Sequence, residues 1–131
     1  MPPELAYDAH SWLARAASSL ALAKVARPEG CFWEDLSFHA QQAAEKALKA
    51  VLIAHKISFR YVHDLNELVA TLEKGGVQVP PGIKATASLN EFAVVTRYPG
   101  CYEAVTEEDH QQAVAAAEQV LAWARGIVSS R

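Results

Sequence analysis

The segment FHAQQAAEKALKAVLIAH, residues 38–55, is the longest run of helix-favouring residues in the chain. Ala, Leu, Gln, Glu and Lys dominate it, and neither Gly nor Pro interrupts it, so the sequence predicts a long helix from about Phe32 to Ile57. Apolar residues recur in steps of three and four and give one continuous stripe for packing against other helices. The members of this stripe are Leu36, Ala40, Ala43, Ala47, Val51 and Ala54. This helix should therefore lie at the centre of the core.

Two further rows run along the same predicted helix. One is half polar and half apolar, and the other is polar and mostly cationic. The first contains Gln41, Glu45, Leu48 and Leu52, and the second contains His39, Gln42, Lys46, Lys49 and Lys56. The cationic row is typical of a solvated helix edge, and Glu45 to Lys49 is a favourable i,i+4 pair worth about 0.2–0.5 kcal/mol. The alternative interpretation is that Lys46 and Lys49 help to bind a phosphate.

Helices are also predicted on either side of this central one. The first begins at the cap residue Asp8, reaches about Ala26 and ends at the Pro and Gly of residues 27–30. A third, short helix begins at Asp64, and we expect Glu67 to reach back in a capping box. Gly75 is predicted to end it in the left-handed conformation.

Two more helices complete the chain. The fourth is predicted from about Ile83 to Thr96, although residues 94–96 also suit a short strand; the absence of a second strand-like run favours a helix. The Pro and Gly of residues 98–100 end it. Thr106, followed by three carboxylates, strongly predicts the start of a fifth helix that continues to about Val128. The pattern predicts an all-α, antiparallel up-and-down bundle of four long helices and one short helix.

Length and composition restrict the class of protein. With 131 residues, 51% hydrophobic and 21% charged, the chain fits one globular domain spanning residues 1–131. A net charge of −3 gives no global reason to expect nucleic acid, although a local basic patch is compatible with it. We expect a cytoplasmic protein without a membrane contact, because neither a membrane span nor an export signal occurs in the sequence. Cys31 and Cys101 are accordingly predicted to be free thiols.

Several segments together resemble the HEPN domain family in its small, stand-alone prokaryotic form. They are FHAQQAAEKALKAVL at residues 38–52, HDLNEL at 63–68, RYP at 97–99 and the acid-capped last helix. The resemblance extends from Leu13 to Ala124 and implies an up-and-down helical bundle that is commonly dimeric. Such proteins are often encoded beside a minimal nucleotidyltransferase. Some members are ribonuclease toxins, whereas others bind nucleotides or only pair with the partner protein.

The ribonuclease branch of this family carries Arg, four to six residues, and then His. In that chemistry the His transfers protons and the Arg holds the scissile phosphate. Here His63 follows Arg60 by three positions and His110 follows Arg97 by 13, so the required spacing is absent. Tyr102, five positions after Arg97, is a poor general base at neutral pH. We therefore expect no catalytic residues and no RNA cleavage.

The candidate ligand-binding residues are consequently not catalytic. Arg97 is the leading candidate to contact a phosphate, with Tyr98 beside it. The alternative is that Arg97 neutralises a helix C-terminus while Tyr98 packs under the turn at Pro99. The complete candidate set is Arg97, Tyr98, Lys46, Lys49, Tyr102 and His63. His63 is also explained more simply as part of the loop before the third helix.

No cofactor or metal is predicted, because the histidines and cysteines lack the paired spacing of a metal site and no nucleotide-binding glycine motif occurs. The resemblance implies a binding module, the partner of a minimal nucleotidyltransferase in a toxin–antitoxin-like system, with nucleotide or RNA contact. The alternatives are a metal-independent ribonuclease with a degenerate motif and a purely structural subunit. A homodimer is expected, because Trp12 and Leu52 widen the apolar arcs of the first and central helices beyond what one bundle core needs.

Overall fold

The computed structural model describes residues 8–60, 62–92 and 104–130, and these residues form helices joined by loops, without a strand. The elements in chain order are α1 (Ala9–Ala23), α2 (Trp33–Ala54), α3 (Leu65–Lys74), α4 (Pro81–Ala85), a 3-10 helix (Thr86–Phe92) and α5 (Glu107–Ser129). The predicted all-α helical bundle is confirmed. The three longest helices are α1, α2 and α5, with 15, 22 and 23 residues.

The central helix α2 contacts α1, α3, α5 and the 3-10 helix. Its alanines at 40, 43, 44, 47 and 50 are completely buried. Such small side chains let neighbouring helix backbones approach closely. The predicted apolar stripe lies in the core, except that Ala54 is only partly buried. The segment at residues 38–55 thus lies mostly within α2, the helix around which the others pack.

Helix starts follow the predicted caps. The Asp8 carboxylate accepts a hydrogen bond from the Ser11 amide at 2.7 Å, and Asp64 accepts one from Asn66 at 2.9 Å. Thr106 and Asp109 form a reciprocal capping box at the start of α5. The box predicted for α3 is wrong, because Glu67 pairs instead with Arg60, at 3.1 Å between Oε2 and Nε.

The end of α3 differs from the prediction by one residue. Gly75 has a φ of −82°, whereas Gly76 has the left-handed φ of +93°. Gly75 has a different role, since a Cβ there would collide with the Ile57 side chain, which would have to shift. Gly75 therefore allows the Ile57 side chain to approach the backbone closely, and Gly76 allows the chain to reverse direction.

The fourth predicted helix is not one continuous α-helix. It begins two residues early, at Pro81, and after Ala85 tightens into the 3-10 helix. The hydroxyl of Thr86 donates to the carbonyl of Ile83, a local bond that competes with regular helix geometry. Asn90 fixes the 3-10 helix to the start of α3, with its side chain bonded to the Leu65 amide and to Asp64. The segment 94–96 lies outside the described residues.

The prediction that Trp12 and Leu52 leave apolar surface for a second copy is wrong. Trp12 and Leu52 are 7% and 0% exposed and belong to the core of a single chain. The large apolar side chains that stay exposed in the described part are near the loop between α1 and α2: Leu22, Val25 and Phe32, the last at 68%. Any apolar contact between copies would therefore have to use a different surface.

The loop between α1 and α2 also carries Cys31, whose thiol is free. Its predicted counterpart, Cys101, lies outside the described residues. Within residues 8–60, 62–92 and 104–130, no helix is both long and apolar enough to cross a membrane.

Candidate functional site

A cluster of buried polar side chains interrupts the apolar face of α2. Its centre is Glu45, which is only 3% exposed. One carboxylate oxygen, Oε2, lies 3.0 Å from Nζ of Lys49, and the other, Oε1, lies 2.9 Å from Nδ1 of His63. We call Gln41, Gln42, Glu45, Lys49 and His63 the Glu45 cluster. It brings together Lys49 and His63, which the sequence analysis proposed separately as ligand-binding residues.

The glutamines fix this arrangement. Residues 41, 45 and 49 share one face of α2 because they are four positions apart. Gln41, fully buried, donates from Nε2 to the carbonyl of His63 at 3.1 Å and accepts from Gln42 at 2.7 Å. Gln42 also lies 3.4 Å from the carboxylate of Glu45. The loop before α3 is thereby held against α2 by both the backbone and the side chain of His63.

Lys49 is not on a solvated edge, and that interpretation of the cationic row is wrong for this residue. Its side chain is 1% exposed, and Nζ lies 5.7 Å from the centroid of the Trp12 ring. The reason is that α1 packs over this side of α2. A charge taken out of water must be compensated, and Glu45 and the face of Trp12 provide that compensation.

His63 connects the buried pair to the surface, because its side chain is 48% exposed. An ionised carboxylate can only accept hydrogen bonds, so Nδ1 of His63 donates to Glu45. In the neutral ring, Nε2 is then the proton acceptor. A carboxylate that orients a histidine in this way prepares the ring to bind a polar group or to act as an acid or base.

Lys46 points elsewhere, although it is only three residues from Lys49. Its Nζ donates to the Ser19 hydroxyl on α1 at 2.8 Å. It also lines an open groove of about 430 Å³ together with Ser11, Ala14, Arg15 and Ser18. Burial lowers the pKa of Lys46. The two lysines of the predicted phosphate site are therefore in different environments.

Three of the sequence-predicted site residues, Arg97, Tyr98 and Tyr102, lie outside the described residues. The pocket drawn from Arg97, Lys46 and Lys49 accordingly stays a prediction. The described chain contains no group of three or more His, Cys, Asp or Glu side chains placed to hold a metal ion.

A second buried polar site lies near the N-terminal end of α2. His110 of α5 is 6% exposed, and its Nδ1 lies 3.1 Å from the hydroxyl of Ser37. The ring stacks at a tilt on Trp33, with centroids 5.1 Å apart, and bonds to the carbonyl of Ala23 at the end of α1. Burial lowers the pKa of His110, so the ring is neutral at pH 7. Ser37 is completely buried, and the pair therefore serves packing between helices.

Sequence reasoning missed Glu45 and Gln41 as site residues. The signal was present, since Gln41, Glu45 and Lys49 form a polar row at four-residue spacing within a helix otherwise rich in Ala and Leu. What the sequence could not indicate was which neighbour covers that row. His110 and Ser37 were likewise hidden, because they are 73 residues apart in the chain.

The described residues form a small helical bundle whose central helix carries an ionic cluster, and this cluster reaches the surface at His63. Residues 9–127 match the model of the HEPN domain. The crystal structure of an archaeal HEPN homologue superposes with a TM-score of 0.75 at 27% sequence identity, covering 93% of this chain and 98% of that one. No curated protein matches the sequence significantly. The chain belongs to the HEPN domain family.

Proposed function

We propose that this chain is the HEPN subunit of a two-component, toxin–antitoxin-like system whose other member is a minimal nucleotidyltransferase. In this role it is a cytoplasmic homodimer of a prokaryotic type that contacts nucleotide or RNA without cleaving it. Membership of the HEPN family supports the proposal, together with the lack of the Arg and His spacing that the ribonuclease branch uses.

The observation that carries the binding role is the Glu45 cluster. It contains a buried Glu45–Lys49 ion pair, and the same Glu45 carboxylate fixes the half-exposed His63 ring. Replacing a buried ion pair with apolar residues is often neutral or stabilising, so stability alone does not require these charges. A ligand that meets Nε2 of His63 gives the arrangement a use.

Binding is tested by titrating labelled single-stranded RNA and ATP into the protein at two salt concentrations. We expect binding that weakens with salt and that His63→Gln reduces by roughly tenfold, the effect of one lost charge-assisted hydrogen bond. His10→Gln, at an exposed position of α1, is the matched control and should bind as the wild type does. Binding that neither salt nor His63→Gln alters would reject this site.

The partnership is tested separately, by co-expression with a minimal nucleotidyltransferase encoded beside this chain. Light scattering on the copurified complex should give a mass above that of a homodimer of the 14.2 kDa chain. The isolated protein should itself have a dimer mass at micromolar concentration, and Phe32→Ser should lower it if the exposed loop apolar residues lie between copies. A monomer mass for the wild type would contradict the homodimer.

One observation favours a second candidate function, a metal-independent ribonuclease. His63 is oriented by a carboxylate, as an acid–base histidine is in many hydrolytic sites. The assay is incubation with structured and single-stranded RNA in the presence of a chelator. We expect no cleavage. Cleavage by the wild type that His63→Gln, Arg97→Ala or Tyr102→Phe abolishes would place this candidate first.

A further inference from the structure

An open groove lies between α3 and the loop that precedes this helix, and its lining residues differ from those of the Glu45 cluster. Its volume of about 700 Å³ is within the range of small-ligand sites. We call it the α3 groove. Its lining includes Ser58, Phe59 and Arg60 of the loop and Glu67, Thr71 and Lys74 of α3. The groove therefore offers an aromatic ring, hydroxyl groups and charged side chains on one surface.

The loop runs beside α3 in the opposite direction. Arg60 pairs with Glu67 in the first turn of α3, at 3.1 Å, whereas Ile57 packs against Gly75, directly after the last turn. These two contacts are about 12 Å apart along the helix axis, at 1.5 Å per residue. Phe59 lies between them in the chain. Its ring is therefore placed between the two ends of the groove.

The loop is held on both sides of Phe59, which fixes the position of the ring. The amide of Ile57 donates to the carbonyl of Leu52 at 2.9 Å, and the carbonyl of His63 accepts from Gln41 at 3.1 Å. Phe59 is itself partly buried against the core. A ring that is already ordered in the free protein loses little conformational freedom when a ligand packs on it.

The two ends of the groove carry positive charge. Arg60 is 77% exposed, so its guanidinium can meet a ligand while it pairs with Glu67. Glu73, the acid next to Lys74, pairs with Lys84 at 2.6 Å. Among the described residues, no carboxylate pairs with Lys74. The lining thus holds two cations against one carboxylate.

Lys56 begins the loop in a conformation that glycine adopts more readily, with a φ of +57°. It precedes Ile57, which packs against Gly75, so its backbone is at the same end of the groove as Lys74. An exposed lysine in the left-handed region costs conformational free energy, and such outliers concentrate at functional sites. The conformation supports a use for the charge of Lys56 at this end.

We infer that the α3 groove binds single-stranded RNA, with one base stacked on Phe59 and the phosphates on either side of it held by Arg60 and Lys74. Lys56 adds charge at the Lys74 end. The inference rests on the RNA contact of the proposed function and adds a site distinct from His63. An aromatic ring beside backbone-binding cations holds single strands without reading their sequence. A free nucleotide has phosphate on one side of its base only and would use one end of the groove.

The test is titration of labelled oligouridylate into the full chain at several salt concentrations, followed by fluorescence anisotropy. Arg60→Gln and Lys74→Gln should each reduce the slope of log K against log salt by about 0.7, the value for one phosphate contact on a single strand. Phe59→Leu keeps an apolar side chain against the core. It should weaken binding roughly tenfold and leave the slope unchanged. The matched controls, Lys24→Gln and Phe32→Leu, change exposed residues near the loop between α1 and α2 and should bind as the wild type does.

Lys56→Gly separates loss of the site from loss of folding. Glycine relieves the positive φ, so this variant should unfold at a higher temperature than the wild type. It should nevertheless bind oligouridylate more weakly and with a smaller salt slope, because one cation is removed. Thermal unfolding and the same titration measure both effects.

His63→Gln distinguishes this inference from the proposed contact at His63. Binding that His63→Gln weakens, but that the Phe59, Arg60 and Lys74 variants leave unchanged, would overturn the α3 groove site and leave the proposed function intact. The reverse result would support the groove and reject the His63 contact. Binding of ATP without binding of oligouridylate would also overturn the groove site. So would polyglutamate that binds as tightly as oligouridylate, which would assign the cations to an acidic protein segment.

Discussion

The two buried polar sites of this bundle treat a histidine in opposite ways. In the Glu45 cluster the buried groups are charged, and the histidine at its edge is 48% exposed. Near the N-terminal end of α2, His110 is neutral and closed in by Ser37, Trp33 and the end of α1. The first site holds buried charges in contact with a histidine that is open to solvent. In the second site, the polar ring is buried and hydrogen-bonded inside the core.

The contrast between the two sites distinguishes a candidate functional polar site from a structural one in a small helical protein. A neutral, fully bonded ring costs little and can fix how three helices meet. A buried ion pair costs desolvation free energy that its own attraction only partly returns. Where such a pair also orients an accessible side chain, as Glu45 orients His63, the pair is a candidate for function.

The largest expected effect comes from breaking the buried pair on one side. Lys49→Met leaves the carboxylate of Glu45 buried without its ammonium partner and should lower the free energy of unfolding by about 3–5 kcal/mol. Lys46→Met, three residues away at the groove, is the matched control and should cost about 1 kcal/mol for its one hydrogen bond to Ser19. Urea unfolding measures both. Equal losses in the two variants would contradict the contrast between these lysines.

The neutral site should instead make stability depend on pH. Because burial lowers the pKa of His110 below 6.5, the unfolded chain binds a proton at a higher pH than the folded chain does. The stability contribution is complete above pH 6.5 and is lost as the pH falls towards the lowered pKa. Urea midpoints measured between pH 8 and pH 5 should therefore decline, and His110→Gln should remove part of that decline. A wild type and a His110→Gln variant with the same pH slope would show that His110 is not responsible.

A smaller effect is expected from the partner of that ring. Ser37→Ala removes the hydroxyl that lies 3.1 Å from Nδ1 of His110 and leaves a buried nitrogen without this bond. The cost should be about 1–3 kcal/mol, at the lower end if the ring finds another donor. Thermal unfolding at pH 8, where His110 is neutral in both states, isolates this bond. A gain in stability would indicate that the hydroxyl is not used.

The smallest effect belongs to an ion pair that is not buried. Lys24 and Glu118 are 3.1 Å apart, with side chains 51% and 48% exposed. Lys24→Ala should change the free energy of unfolding by less than about 1 kcal/mol, and added salt should reduce even this. Measured beside Lys49→Met, it calibrates how much burial contributes. A loss comparable to that of Lys49→Met would mean that burial does not control these pairs.

The sequence predicted local features well because short-range chemistry controls them. The caps at Asp8, Asp64 and Thr106 follow from side-chain oxygens placed to meet unpaired amides. Membership of the HEPN family was also readable in the α2 segment. The left-handed glycine lies one residue later than predicted, because either glycine of the pair can adopt that conformation. The close approach of Gly75 to Ile57 is a tertiary contact that the sequence does not indicate.

The candidate site was harder to predict, because burial and not residue type decides its chemistry. Lys46 and Lys49 look alike in sequence, yet α1 covers Lys49 with Trp12 and leaves Lys46 at the edge of a groove. In the sequence, Glu45 and Lys49 form an ordinary i,i+4 pair. In the structure, the other carboxylate oxygen of Glu45 contacts His63, which lies 18 residues later in the chain. Such contacts depend on how the helices pack, which the periodicity of a single helix does not predict.

The role proposed for the Glu45 cluster is tested by removing the charges of Glu45 and Lys49 together, so that neither is left unpaired. The double variant Glu45→Met with Lys49→Met replaces the ion pair with apolar side chains of similar length. We expect its free energy of unfolding to lie within about 1 kcal/mol of the wild type or above it. Its binding to RNA or nucleotide, measured by the same titration as for His63→Gln, should fall at least as far. A folded double variant that binds as tightly as the wild type would contradict the claim that these buried charges serve function.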